Sequence, residues 1–208
     1  MRRSKVQDSS YLLAALVWLA LFLGCHAEEG SDPASWRIWM EPKFMRAPVS
    51  APVAQAERTV LAAGTLREGE LHLIPKSEWD ALGNSWETFS VRARANAAAD
   101  LATLKPEYVR NRKKVIEYAI LRSEQPIVAS AILAPKFLSL FEETLGPKVL
   151  VTVPNRYTAY IFPALVTNYA DYAPMIFRDY RATPFPVSIE VFEFSKQGIK
   201  AVGAYEEP

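Results

Sequence analysis

The chain has 208 residues, half of them hydrophobic, and its formal charge is only +1. This balance argues against a nucleic-acid-binding protein, because the densest basic run (Arg110, Arg112, Lys113 and Lys114) is a single short patch. Two histidines and one cysteine are too few for a zinc site or a disulfide framework. We therefore expect no metal and no cofactor.

The first 27 residues have the layout of an export signal. Arg2, Arg3 and Lys5 give a basic start, and the 15 residues 11–25 are all apolar or small. A helix of that length would measure about 22 Å, against roughly 30 Å of bilayer hydrocarbon, which disfavours a permanent membrane span. We therefore predict that the protein is exported.

The signal segment ends in Leu21-Phe22-Leu23-Gly24-Cys25, which resembles the lipobox of bacterial lipoprotein precursors. The resemblance implies that Cys25 receives a diacylglyceryl group and becomes the mature N-terminus. The protein would then be membrane-anchored in the cell envelope, on the periplasmic or extracellular side. Two alternatives stay open: secretion after cleavage at Ala27, which discards Cys25, and an uncleaved segment that serves as a short anchor.

Removal of residues 1–24 takes away three basic side chains and one acidic one, so the formal charge falls from +1 to −1. The remainder, about 180 residues, suffices for one domain that buries roughly 70% of its unfolded surface. Residues 25–58 carry four prolines, which is typical of an extended tether. Large apolar side chains from Trp36 to Met45 favour packing on the domain, or contact with a membrane surface or partner. The division is a signal peptide at 1–24, a tether or packed segment at 25–58 and an α+β domain at 59–208.

The first predicted elements of the domain are two short strands, at 59–63 and 70–74, joined by a turn at 64–69. The best helix is predicted at 85–104, because apolar residues recur there every three or four positions and a proline follows. Residues 106–114 are predicted as a short helix or turn.

The rest of the chain alternates apolar runs with proline-initiated segments. Six further strands are predicted, at 115–121, 127–133, 149–153, 157–162, 187–194 and 199–205. One helix opens at Pro135 and ends at Gly146, and another runs from Pro163 to about 181 with a kink at Pro174. This order predicts a single α+β domain with a largely antiparallel sheet and helices on one face, and a ferredoxin-like split βαβ order in its C-terminal half.

Three short motifs stand in that C-terminal half: Val115-Ile116-Glu117-Tyr118, Leu133-Ala134-Pro135-Lys136-Phe137 and Val153-Pro154-Asn155-Arg156. Together they resemble an uncharacterised bacterial family of YtpQ-type domains. The resemblance covers about the last 95 residues. It implies no particular chemistry, because that family has no established activity.

The candidate binding residues are Asn155, Arg156 and Tyr157, which lie at the tip of the predicted hairpin between 149–153 and 157–162. Asn155 tolerates turn geometry, and a rigid hairpin that presents a guanidinium beside tyrosines suits an anionic group or a partner. A plain turn is the alternative interpretation.

The sequence contains no recognised combination of catalytic residues, and we assign no catalytic residue. There is no Gly-x-Ser-x-Gly motif, and His72 has no obvious partners for a triad. The acids that a hydrolase would use are Glu142, Glu143, Asp171 and Asp179, although helical carboxylates usually form a solvated face.

We therefore expect a non-enzymatic binding or interaction module in the cell envelope. Its partners would be the membrane, through the N-terminal lipid or signal segment, and an envelope protein or small ligand, but no nucleic acid. The alternative is an envelope hydrolase that uses carboxylates, which predicts a deep pocket with two convergent acids and a perturbed pKa.

Overall fold

Two antiparallel sheets form the framework of the described residues. The computed structural model describes residues 32–166 and 168–206, and those from Pro33 onward belong to one compact unit. The first sheet contains β1 (Trp36–Pro42), β2 (Ser50–Pro52), β3 (Thr59–Arg67) and β4 (Glu70–Leu73). β3 lies in the centre, with β1 on one side and both β2 and β4 on the other. Residues 36–58 are thus part of the domain.

The turn between β3 and β4 follows from its two residues. Glu68 has a φ of 50° and Gly69 a φ of 81°. Two-residue turns with two positive φ angles match the right-handed twist of the strands that they join. The hairpin predicted from 59–63 and 70–74 is confirmed, with a longer first strand and a turn of only two residues.

The second sheet has six strands. They are β5 (Glu107–Arg110), β6 (Ile116–Arg122), β7 (Val149–Asn155), β8 (Thr158–Pro163), β9 (Glu190–Ser195) and β10 (Gly198–Ala204). Their order across the sheet is β10-β9-β7-β8-β6-β5, and neighbouring strands are antiparallel.

Both faces of the second sheet are buried. In β8, Ala159 and Ile161 point into the core shared with the first sheet, whereas Tyr160 and Phe162 belong to a separate apolar cluster on the other face. This alternation is the period of two that strands impose on their side chains. It also explains why the apolar residues of 187–194 change sides, since a strand buried on both faces needs apolar residues on each.

Five α-helices lie within the described residues. They are α1 (Lys76–Leu82), α2 (Trp86–Thr103), α3 (Val128–Ala131), α4 (Glu142–Leu145) and α5 (Ala173–Arg181). The prediction of a helix at 85–104 is confirmed by α2. Ser85 caps α2, because its Oγ accepts a hydrogen bond from the Thr88 N–H at 3.2 Å. The buried stripe of α2 includes Phe89, which stacks on Trp36 of β1.

The α+β class with largely antiparallel sheets is confirmed, but the ferredoxin-like order is wrong. That order needs a strand at 127–133, and the run instead contains the buried helix α3, whose Val128 N–H donates to the Arg156 carbonyl at 3.0 Å. A short apolar run suits a fully buried helix as well as a strand. The helices also cover both faces of the second sheet, since α5 packs opposite α3.

Three other segments differ from the prediction. The helix predicted from Pro135 to Gly146 is instead a 3-10 turn at Leu138–Leu140 followed by the short helix α4. Residues 106–114 contain strand β5, which pairs with β6. Pro163 ends β8 and does not open a helix, and α5 begins only at Ala173. Pro174 lies in the first turn of α5, where its missing N–H leaves no helical hydrogen bond unmade.

Candidate functional site

Arg156 lies in the turn between β7 and β8 and reaches across to the first sheet. Its Nη2 donates to both carboxylate oxygens of Glu41, at 2.9 and 3.0 Å. The two side chains are only 9% and 2% exposed. The tip of the predicted hairpin is therefore a buried ion pair that joins the two sheets.

Aromatic rings surround this ion pair. Trp39 Nε1 donates to Glu41 Oε2 at 2.6 Å. The centre of the guanidinium lies 5.4 Å from the Trp39 ring centroid and 5.0 Å from that of Phe185, both within cation–π range. A cation and an N–H donor thus balance the Glu41 carboxylate, which is what a buried charge requires.

The Arg156 guanidinium has hydrogen-bonding capacity to spare. Both bonds to Glu41 start from Nη2, and the buried Nε has no acceptor among the described residues. Buried donors are nearly always paired in native proteins. Because this Nε is buried, it is not available to a ligand, and Arg156 acts mainly by joining the two sheets.

A cleft of about 600 Å³ opens beside Arg156. One wall is formed by residues 68–72, which comprise the β3–β4 turn and most of β4, and a second by the loop 124–126. Arg156, Tyr157 and Phe185 form the third wall. Ligand pockets in proteins typically measure roughly 300–1,000 Å³, so the cleft is large enough to hold a ligand.

Acidic side chains dominate the charge of this cleft. Glu68, Glu70 and Glu124 line it and are exposed, while the charge of Arg156 is balanced by Glu41. His72 Nε2 lies 4.0 Å from Glu70 Oε2. The rim therefore favours a cationic group, whereas the hairpin tip taken alone suggests an anionic one.

The wall formed by β4 is a sheet edge. β4 pairs with β3, with His72 opposite Thr65 and Glu70 opposite Arg67. The Ile74 N–H donates to the Ala63 carbonyl at 3.2 Å, so Ile74 and Ala63 are a hydrogen-bonded pair. Hydrogen-bonded and non-hydrogen-bonded pairs alternate along antiparallel strands, so the backbone N–H and C=O of Leu71 point away from β3. Within the described residues the N–H and C=O of Leu71 have no partner on that outer side.

The three predicted binding residues have different positions. Arg156 and Tyr157 line the cleft. Asn155 is buried, and its Nδ2 donates to the Asp179 carbonyl at 2.8 Å while its Oδ1 accepts from the Tyr157 N–H at 2.9 Å. Asn155 therefore positions the turn against the end of α5.

Sequence reasoning missed the partners of Arg156. Glu41 is the one carboxylate in the strand Trp36–Pro42, every residue of which is buried, and a buried carboxylate needs a buried partner. The sequence predicts a tether or packed segment here and no strand, so Glu41 does not stand out. Phe185 lies in a connecting segment with no periodicity, so nothing in the sequence indicated that it contacts Arg156.

The carboxylates considered for a hydrolase do not gather at this cleft. None of Glu142, Glu143, Asp171 and Asp179 lines it. Glu142 lies 3.6 Å from Lys196 Nζ, across an exposed surface. The structure therefore gives these four residues no common site beside Arg156.

Asp179 of α5 makes instead a partly buried contact with β8. The Tyr160 hydroxyl donates to Asp179 Oδ2, and Arg178 Nε donates to Asp179 Oδ1 at 2.9 Å. Burial, together with the hydrogen bond to Asp179, raises the pKa of Tyr160 to about 12. Tyr160 therefore remains a neutral hydroxyl at physiological pH.

Two other kinds of feature concern metal binding and membrane spanning. In residues 32–166 and 168–206, no three histidine, cysteine or acidic side chains gather as a metal site would require. No helix in the same part of the chain has the length and hydropathy needed to cross a membrane.

The lipidation candidate, Cys25, lies outside the described residues, as do the predicted signal segment and its cleavage sites. Comparisons with known proteins found no matching family model, curated protein or solved structure. The lipoprotein assignment and the resemblance to YtpQ-type domains stay predictions from the sequence.

Proposed function

We propose that the protein is an exported binding module, anchored in the cell envelope through Cys25, which binds an extended basic peptide segment in the cleft beside Arg156. One observation carries the choice of ligand. The cleft combines an unpaired strand edge with an acidic rim, whose charge Arg156 does not offset because it is paired with Glu41.

The strand edge favours a peptide over other ligands. The outward N–H and C=O of Leu71 can pair with a peptide backbone laid alongside β4, as in other cases of β-strand addition. Main-chain pairing of this kind supplies affinity independent of side-chain sequence.

The rim favours a basic side chain on that peptide. Glu70 and Glu124 lie on two different walls, so a lysine or arginine between them can approach both. Phe185 is partly exposed beside them and offers an aromatic surface to a cation or to its methylene chain. Each exposed charge pair contributes about 0.2–1 kcal/mol, so selectivity requires several together.

A fluorescein-labelled Lys-Val-Lys-Val-Lys peptide tests this function by fluorescence anisotropy with the full chain. We expect it to bind, and a Glu-Val-Glu-Val-Glu peptide to bind at least tenfold more weakly. Glu70→Gln with Glu124→Gln should weaken binding by about two- to tenfold, whereas Asp80→Asn, which removes an exposed carboxylate outside the cleft, should not. Equal binding of the two peptides would reject a basic ligand.

The location is tested separately by the intact mass of the protein from membrane and soluble fractions. A product that begins at Cys25 and carries acyl chains is the expected result. A soluble product that begins at Glu28 would reject the anchor and leave the cleft unaffected.

The envelope hydrolase remains the second candidate, supported by the closeness of His72 and Glu70 in the same cleft. The same peptide distinguishes the two functions. Intact peptide after prolonged incubation fits a binding module, whereas cleavage products that disappear with Glu70→Gln would favour the hydrolase.

A further inference from the structure

A turn after β1 exposes two large apolar side chains. Residues Lys43–Met45 form a single 3-10 turn, followed by Arg46. Phe44 is 64% exposed and Met45 is 51% exposed. Most large apolar side chains of this domain are buried, so two adjacent exposed ones mark a surface with a partner.

Cations surround these two side chains. Lys43 and Arg46 flank them in sequence, and the Lys43 N–H donates to the Arg58 carbonyl at 2.7 Å, which places Arg58 beside the turn. All three basic residues are exposed, and no ion pair is found for them within the described part of the chain. Glu57 is the neighbouring carboxylate, so the local charge stays positive.

The apolar surface continues behind the turn. A groove of about 350 Å³ runs from Phe44 along Pro42, Val187 and Ile189. Tyr180, Ser188 and Glu57 complete the lining, together with Lys43 and Arg58. The apolar side chains of the turn therefore lie beside a largely apolar groove, with exposed cations next to it.

Arg46 occupies a backbone conformation that suits glycine better. Its φ is 51°, in the left-handed region that costs other residues free energy. Arg46 therefore places a cation beside Met45 although its backbone conformation is unfavourable. The same geometry makes Arg46→Gly a change that the fold should tolerate.

We propose that the turn Lys43–Arg46 is a membrane-contact loop for a bilayer that contains anionic lipids. Phe44 and Met45 enter the boundary between headgroups and acyl chains, while Lys43, Arg46 and Arg58 meet the anionic headgroups. Aromatic and basic residues together are the usual composition of interfacial anchors. An anionic bilayer surface matches this arrangement, because its charged headgroups lie directly above an apolar layer.

This loop is independent of the peptide cleft and of acylation at Cys25. It rests on the proposed function only for its biological setting, since an envelope protein faces a membrane. It would supply a second contact that orients the domain on the bilayer surface. Anchoring by one lipid group alone leaves the domain free to rotate.

The test is site-directed spin labelling of the full chain in a Cys25→Ser background. A nitroxide replaces Phe44 through Phe44→Cys, and vesicles of phosphatidylglycerol with phosphatidylcholine are added. We expect the label to become more accessible to oxygen and less accessible to a water-soluble nickel chelate. The local readout reports the loop whatever the N-terminal segment does.

A matched control separates insertion from charge attraction. Val115 is 58% exposed and follows Lys113 and Lys114, so a label placed by Val115→Cys also sits in a basic turn but has no exposed large apolar neighbour such as Met45. We expect this label to stay in water. Arg46→Gly should weaken the response at position 44 about fivefold, the effect of one cation near an anionic surface.

Three results would overturn the membrane-contact loop. They are continued access of the nickel chelate to the label at position 44 on vesicle-bound protein, insertion of the label at position 115, and spin–spin broadening at position 44 that reveals contact between two copies. Peptide binding in the Arg156 cleft would be unaffected by any of them, so this failure is distinguishable from failure of the proposed function.

Discussion

Loss of the Glu41 carboxylate is expected to destabilise the domain strongly, because Arg156 would then be buried without its counter-charge. The side chains are 9% and 2% exposed, so water screens neither charge effectively. Removing one partner of such a pair costs about 3–5 kcal/mol, against a total stability of about 5–15 kcal/mol for a typical domain. Glu41→Gln keeps the shape of the side chain and presents an amide to the guanidinium.

Urea unfolding followed by tryptophan fluorescence measures this loss. Glu41→Gln and Arg156→Met should each cost about 3–5 kcal/mol, and the double variant should cost less than their sum, because it leaves no unpaired charge. Asp80→Asn, which breaks a pair whose side chains are more than half exposed, should cost less than about 1 kcal/mol. Additive losses, or a single loss below 1 kcal/mol, would refute the reasoning.

Two further predictions concern alkaline stability and close packing. Burial and the hydrogen bond to Asp179 raise the pKa of Tyr160 from 10.0 to about 12, so the folded state holds this proton more tightly than the unfolded chain. The protonated Tyr160 hydroxyl therefore contributes fully to the unfolding free energy below pH 10, and this contribution falls by about 2–3 kcal/mol as the pH rises toward 12. Tyr160→Phe should remove this part of the alkaline decline in unfolding free energy. A Cβ on Gly64 would lie 2.2 Å from the His72 carbonyl oxygen, so Gly64→Ala should cost about 3 kcal/mol or more in urea unfolding. Gly69→Ala, which meets only open space at a φ of 81°, should cost about 1–2 kcal/mol, and equal losses at the two glycines would contradict the packing argument.

Local signals predicted the elements that local interactions determine. The helix at 85–104 has a capping serine and an apolar stripe, both of which are read within one segment. The hairpins formed by β3 with β4 and by β9 with β10 follow from short turns between apolar runs. The strand predicted at 127–133 is wrong. These residues contain helix α3, which contacts the carbonyl of Arg156, a residue distant in the sequence.

The candidate site was predicted only in part for the same reason. Arg156 and Tyr157 stood out as polar and aromatic residues at a turn, which the sequence displays directly. The pairing of Arg156 with Glu41 joins residues 115 positions apart. That pairing buries the guanidinium and leaves the acidic residues to set the charge of the cleft. The expected ligand therefore changes from anionic to cationic, which no local sequence pattern indicates.

Hydrogen–deuterium exchange of β4 tests the central claim, peptide binding along its edge, most directly. The outward Leu71 N–H has no partner among the described residues, so it should exchange rapidly in the free protein. Saturating Lys-Val-Lys-Val-Lys peptide should slow exchange in the segment 70–73, and the same peptide with every peptide nitrogen methylated, which lacks donors for a ladder, should not. Unchanged exchange in 70–73 while the peptide is bound would contradict strand addition at this cleft.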